Sequence, residues 1–516
     1  MARGTRPYNE DAFQAGVIEI PAFAKRLPRS WARSPTKLLH EGEGAESSYG
    51  DPQVFYFGVF DGHGGAECSD WLRKGLHTYI ESATRQFELE SSLKDPIPKP
   101  PHVREAEARR KRPKDPELDD WISDIIKRAA STQLFKFKPL RSQTKEQEDE
   151  DESSEYTEDH ELTSILSEPA VPQPVNDLKA EDLEAELVAL WRKQIGGYFR
   201  RFKPDHLSLS SGGLGHLVER EASQRAAAKG EVPKPKDDEI GMETVLAYSF
   251  LKADLDFVTA VKEASATVRN PEYDSDRPLN ETEILGEPSR DLRPASSSDS
   301  GAPKGGSTCS ISLISTPTPA PFWHPATPAT LMTSHVGDTR IILCRTSDGR
   351  PVVLTTNHHP STPIESRRLR RFAGSMVTDS FGEERIEGLA NTRSFGDTPS
   401  KPLGVSAEPE IKRVELGPAE YSFMVMASDG VSGCVSDREI VDIVKEAGTP
   451  EAAAREVVRY ANDVSLDGDN ATCLVVRMGG WERRQEGGGG SLGSREERLW
   501  RREEASDPRR GGAAGR

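Results

Sequence analysis

The chain has 516 residues, room for two or three average domains or for one large domain with insertions. Only 34% of it is hydrophobic and 30% is charged, so part of it lies outside any packed core, and a net charge of −17 argues against nucleic-acid binding because a phosphate backbone would be repelled. Five scattered cysteines (Cys68, Cys309, Cys344, Cys434, Cys473) with no CxxC fit a reducing compartment and exclude a cysteine-based zinc framework. No apolar run nears the roughly 18 residues of a membrane span, and no secretory signal is visible, which together read as a soluble intracellular protein.

Arg6 and the acidic pair Glu10-Asp11 come almost before a fold can begin, and residues 21–52 read as a polar loop. Val54–Phe60 is nearly all apolar, the pattern of a strand buried on both faces, and it runs without a polar spacer into Asp61-Gly62-His63-Gly64-Gly65. A helix is expected over 66–80. From about 86 to 240 the composition changes and reads as a long insertion. It holds a basic run, Arg109–Lys114, read as a solvated linker, and an amphipathic helix through Leu118, Trp121, Ile122, Ile125 and Ile126. An acidic run over 145–161 follows, with ten acidic residues in the sixteen from Glu146 to Glu161, and it is expected to be disordered. A second helical stretch spans Glu181–Phe202 and ends in Tyr198-Phe199-Arg200-Arg201-Phe202; its Leu183, Leu187, Leu190 and Trp191 are expected to pack on the parent domain.

Met242–Val261 reads as a largely buried helix and 270–304 as a Pro/Ser-rich linker. Strands are then expected at Ser307–Ser315, Thr330–Val336, Thr339–Cys344, Pro351–Thr355, Ser422–Ala427 and Ala471–Arg477, with a short basic helix at Ile364–Phe372. Ser436 to Glu439 is a capping box, and Thr449-Pro450 opens a further helix. Residues 481–516 read as a disordered tail.

Several of the apolar strands meet an aspartate beside a glycine: Asp61-Gly62, Gly337-Asp338 and Asp429-Gly430, with Asp469-Asn470 opening the last strand. Carboxylates at the ends of buried strands repel one another unless something cationic neutralises them, and hard divalent ions such as Mg²⁺ or Mn²⁺ suit an all-oxygen cluster. Gly62 can offer its carbonyl, and Arg6 is a planar, always-charged fork suited to phosphate.

The chain resembles the PPM-type (type 2C) metal-dependent protein serine/threonine phosphatases. The matching pieces run in the family's order: Arg6 with Asn9-Glu10-Asp11, FGVFDGHGG, GGSTCSISLI, HVGDTRIILCR, LTTNHHPS, ERIEGLANTRSFGD, AEPEI, ASDGV and DGDNATCLVV. The resemblance covers about 1–85 and 240–480, and the long insertion is similar to that of a mitochondrial branch of the family in fungi. It implies an α/β sandwich (α+β), two packed antiparallel sheets flanked by helices with a dinuclear metal site at one edge between them, on a phosphatase domain over 1–480. It further implies two Mn²⁺ or Mg²⁺ ions bridged by Asp61. Gly62 would hold one ion through its carbonyl, with Glu10 helping through water, and Asp429 and Asp469 would hold the other. A metal-bridged hydroxide would attack phosphorus directly, Arg6 would steady the phosphate, and His63 would protonate the departing oxygen, help that typically gives ~10²–10⁴-fold. The implied substrate is a phosphoprotein, met by a monomer, with no nucleic-acid partner. The compartment implied by the branch is mitochondrial, and otherwise cytoplasmic.

Three departures from the family pattern stand out. Gly433 replaces an aspartate, leaving Asp338 to a weak third metal site at most; Asn357 replaces another; and Arg6 lies so near the start that the customary first strand is expected to be short or missing. The alternative reading is a catalytically silent phosphatase-fold scaffold. A nuclear or nucleic-acid-associated role for Arg109–Lys114 is opposed by the neighbouring acidic run.

Overall fold

The computed structural model describes residues 1–26, 47–94, 177–196, 203–207, 209, 241–268, 305–369, 377–378, 384–386, 388–465, 468–485 and 490–505. Within them two antiparallel sheets face each other. The larger runs in the order β1 (Ala12–Ile18), β2 (Val54–His63), β3 (Gly306–Ser315), β4 (Ala329–Val336), β10 (Glu410–Leu416), with the short β9 (Phe395–Gly396) paired to the start of β3. The smaller is ordered β12 (Cys473–Arg477), β11 (Tyr421–Ala427), β5 (Arg340–Arg345), β6 (Pro351–Val353). The small pair β7 (Val377–Thr378) and β8 (Glu384–Arg385) stands apart from both.

Side-chain alternation divides the apolar residues into three cores. On β11, Met424 and Met426 point between the sheets with Val59, Ile314, Leu331, Ile341 and Leu343, whereas Phe423, Val425 and Ala427 face the helices α6 (Asp437–Glu446) and α7 (Pro450–Val464). Both faces are covered, so all seven residues of β11 are buried. On the far side of the larger sheet, Tyr56, Phe60, Ile311 and Leu313 pack under α1 (Glu67–Gln86) and α3 (Met242–Val268). Each such fully buried side chain contributes about 1.5–3 kcal/mol. The result is the expected pair of antiparallel sheets flanked by helices.

Local sequence explains the helix ends. Ser436 accepts from the backbone of Glu439 while the Glu439 side chain reaches back to Ser436, the reciprocal box expected at the start of α6. Thr449 Oγ1 accepts from Ala452 N ahead of Pro450 at the start of α7.

Several boundaries differ from the sequence expectation. β2 does not stop at Phe60: Asp61, Gly62 and His63 pair with Thr308, Ser307 and Gly306, so the motif is the last part of the strand and not a turn after it. Strands β1 and β10 were not expected. Ala15-Gly16 has little intrinsic strand preference, and β1 forms because it pairs residue for residue with β2. The helical stretch expected over 181–202 is α2 (Asp177–Gln194), with Leu187, Val188 and Trp191 buried in the main core. Its aromatic-arginine end and the regions 95–176 and 269–304, including Leu118–Ile126, the acidic run and the linker, lie outside the described residues.

The expected disordered tail is in part a docked helix, α8 (Gly490–Ala505). Glu439, Asp442 and Glu446 form an acidic stripe at helical spacing on α6, and Ser494, Arg498 and Arg501 of α8 meet it. Arg501 Nη1 lies 2.6 and 2.8 Å from the two oxygens of Glu439, and its Nη2 donates to Cys434 O at 2.6 Å. Composition of the tail alone hid this helix because its partners are on another element. Arg501→Ala should lower the unfolding free energy by about 1–2 kcal/mol, since Glu439 is buried and loses a charged donor. Urea denaturation measures it, and an unchanged midpoint would show that α8 is not held by this pair.

Candidate metal centre

The carboxylates arrive at one edge of the sandwich from four places. Asp61 lies third from the end of β2, on the same face as Val59, the face between the sheets; Asp338 sits in the β4–β5 turn; Asp429 follows β11; and Asp469 precedes β12. Asp61, Asp338 and Asp429 each place an oxygen within 4.8 Å of the others. The backbone N–H of Asp429 donates to Asp61 Oδ2 at 3.1 Å, tying the edges of the two sheets together. Asp469 stands beside this trio and not in it: its Oδ2 takes a 2.7 Å bond from Arg6 Nη2, and its Oδ1 accepts from Asn470 N.

Gly62 is required by close approach. A Cβ there would lie 2.2 Å from the carbonyl oxygen of Glu10, so only glycine lets the N-terminal segment lie against the strand. Asn470 then pins that segment: its Oδ1 accepts from Glu10 N at 2.7 Å, and its Nδ2 donates to the carbonyls of Arg3 and Tyr8. Ala2 pairs with Ala471 in a single antiparallel bridge where the family's first strand was expected to be short or missing. Arg6 and Glu10 are thereby held beside the carboxylates.

The electrostatics are those of a site built for a cation. Burial, then the charges of Asp429, Asp11 and Asp338, push the Asp61 carboxyl well above its ordinary range. Burial and Asp338 likewise push Asp429 up to about 7. Asp338 Oδ1 and Asp11 Oδ1 are buried with no hydrogen-bond partner. An all-oxygen set with orphaned carboxylate oxygens and mutual repulsion fits a hard divalent ion. His63 Nε2 lies 2.9 Å from both oxygens of Asp397, and although burial disfavours the imidazolium, that carboxylate's hydrogen bond and charge leave its pKa raised.

A second grouping, His335, His358 and Glu410, is also compact. Its imidazoles are already engaged. His335 Nε2 is 3.0 Å from the Thr356 carbonyl and its Nδ1 is 2.9 Å from Ser310 Oγ, while His358 Nδ1 accepts from Gly337 N at 2.9 Å. Burial holds both rings below their ordinary pKa, and His358 serves to anchor the turn that carries Asp338.

The family profile described as Protein phosphatase 2C matches residues 260–466. Over that stretch the chain is similar to the protein phosphatase 2C family. It is 36% identical over 254 residues to Protein phosphatase 2C homolog 4 of Schizosaccharomyces pombe, covering 49% of this chain and 57% of that protein. Protein phosphatase 1K, mitochondrial, of Xenopus laevis is 38% identical over 152 residues, 29% of this chain and 40% of that protein. The chain thus spans about half the length of these curated relatives. A solved serine-threonine phosphatase 2C from Toxoplasma gondii matches 92% of each chain at 14% identity with a TM-score of 0.41, too distant to add weight.

Against the family pattern, Gly433 has φ −72°, a conformation open to any residue, but a Cβ there would sit 2.8 Å from the Asp429 carbonyl oxygen. Asn357 Oδ1 lies 3.4 Å from Arg340 Nη1, whose guanidinium chiefly grips Asp437. Residues that sequence reading left without a role are Asn470, Asn391, which donates to Asp338 Oδ2 at 2.8 Å, and Asp397. Asp397 and Asn391 stood inside a matching motif, and only the fold shows what they touch.

Because Asp429 has a higher pKa folded than its ordinary 3.8, the folded state holds the extra proton between about pH 4 and 7, and the penalty is fully present above about 7. In EDTA, Asp429→Asn should therefore raise the melting temperature at pH 7.5, with a gain that shrinks toward pH 5. With saturating Mn²⁺ the order should reverse. Thermal scans at both pH values check this, and a variant less stable than wild type in EDTA at pH 7.5 would contradict it.

Proposed function

We propose that this chain is a Mg²⁺/Mn²⁺-dependent phosphoprotein phosphatase that hydrolyses phosphoserine and phosphothreonine. The observation that carries the reading is the convergence of the Asp61, Asp338 and Asp429 carboxylates at one edge of the sandwich, with Asp338 Oδ1 buried and without a hydrogen-bond partner. In this reading Asp61, Asp429 and Asp469, the carbonyl of Gly62 and, through water, Glu10 would hold the two ions. Bound ions supply Lewis-acid activation of water and neutralise charge on the phosphoryl group. Asp338, with one oxygen free, is the ligand available to a weaker third position, to which Gly433 adds no carboxylate.

The remaining work falls to the chain's own groups. Arg6, with its side chain 55% exposed and paired to Asp469, is free to turn one face of its guanidinium to phosphate. His63 gives a proton to the departing serine or threonine oxygen, without which an alkoxide is a poor leaving group. A silent scaffold on the same fold would have no need of an intact, repelling cluster. The match to a relative named as mitochondrial supports a mitochondrial location for this chain, and a fluorescent fusion of the full chain should then overlay the mitochondrial network.

With Mn²⁺ the protein should release phosphate from a phosphothreonine peptide, and EDTA should abolish it. Asp61→Asn with Asp429→Asn should remove activity, and Arg6→Ala should raise KM about tenfold, the loss of roughly one charge-assisted bond. Turnover that survives chelation, or that is indifferent to the double substitution, would refute the reading.

A further inference from the structure

We propose that Asp397 is a positioning residue for His63, fixing which ring nitrogen carries the proton that goes to the leaving oxygen. This rests on the phosphatase reading above. His63 Nε2 is equidistant, at 2.9 Å, from both oxygens of Asp397, 334 residues away in sequence. With Nε2–H committed to the carboxylate, Nδ1 is left without a hydrogen bond among the described residues. An imidazolium held in this way has one N–H to give. As the P–O bond breaks, its electron pair stays on the serine or threonine oxygen and the Nδ1 proton moves to that oxygen. The phosphoryl group passes to water, and the neutral imidazole regains a proton from solvent.

The surroundings of Asp397 are arranged for this contact. Gly306, which lies between His63 and Gly396 in the sheet, cannot be anything larger: a Cβ there would sit 2.3 Å from Asp397 Oδ2. Asp397 has φ +42°, a left-handed conformation that costs most residues about 1–2 kcal/mol but that Asp and Asn tolerate best. Strain of this kind persists only where the surroundings over-determine it. Here they do: Ser394 Oγ donates to Asp397 Oδ2 at 2.5 Å, and Asp397 N donates to Gly305 O. Asp254 of α3 accepts from Gly396 N at 2.9 Å and pairs with buried Lys401 at 2.7 Å, and Lys401 donates in turn to Ser394 O. A buried ion pair braces the turn from behind while the carboxylate faces His63.

The test separates positioning from general structural support by leaving group. A p-nitrophenyl phosphate has a leaving group that departs with little protonation, whereas a phosphothreonine peptide has an alkoxide that needs it. With saturating Mn²⁺, Asp397→Asn, which keeps the left-handed turn, should lower kcat on the peptide about tenfold or more, toward the range that loss of a general acid gives. It should lower kcat on the aryl phosphate much less, with peptide KM little changed. His63→Gln should show the same split, and the double variant should lose little more than either alone, as expected of residues acting as one unit. Ser394→Ala, which removes only the hydroxyl that braces Asp397, should show the split in the same sense but smaller, and serves if Asp397→Asn does not fold. Equal losses on both substrates, full additivity with His63→Gln, or undiminished peptide turnover in a folded variant would overturn the inference alone. Absence of any EDTA-sensitive turnover in the wild type would instead overturn the phosphatase reading, and this inference with it.

Discussion

Repulsion among Asp61, Asp338 and Asp429 is the constraint on which the site depends. Two buried sheets deliver these carboxylates to one edge, and among the described residues no lysine or arginine forms an ion pair with them: Arg6 is paired with Asp469, and the His359 imidazole stands 4.0 Å from Asp338 Oδ2. An uncompensated buried charge costs several kcal/mol even after relaxation, so a fold that keeps three together without a cation is working against itself. The raised pKa values of Asp61 and Asp429 are the same conflict expressed in protons. A divalent ion removes it, and the three apolar cores supply the rigidity that keeps the carboxylates from moving apart.

That rigidity has a simple source. The period-two alternation that buries Met424 and Met426 between the sheets also buries Phe423 and Val425 under helices, so neither sheet can slip by one residue without exposing an apolar row. The same alternation fixes Asp61 and His63 on one face of β2, two residues apart, which directs one toward the carboxylate cluster and the other toward Asp397. The N-terminal segment has no strand to hold it and relies on Asn470, the Ala2–Ala471 bridge and the absence of a side chain at Gly62.

Much of this was legible in the sequence because it is written locally. The apolar run before Asp61, the Asp-Gly at 429 and the capping box at Ser436 each announce themselves within a few residues. What was not legible depends on distant partners. Asp397 is 334 residues from the histidine it touches, and Asn470 gains its role only when it meets residues 3 to 10. The helix at 490–505 was hidden by a Gly/Arg/Glu composition whose arginines find their carboxylates on α6. Strand β1 has a weak sequence and a strong neighbour. The position of Asp338 beside Asp61 and Asp429, and of Asp469 outside them on Arg6, is likewise a property of the folded edge.

The central claim is that this edge holds divalent cations. Anomalous diffraction from crystals of the full chain grown with Mn²⁺ tests it most directly. The account predicts anomalous peaks in contact with Asp61 and Asp429, and none at His335, His358 and Glu410, where three of the four imidazole nitrogens are already engaged. A crystal with no peak at Asp61, or with its peak among those histidines, would contradict it.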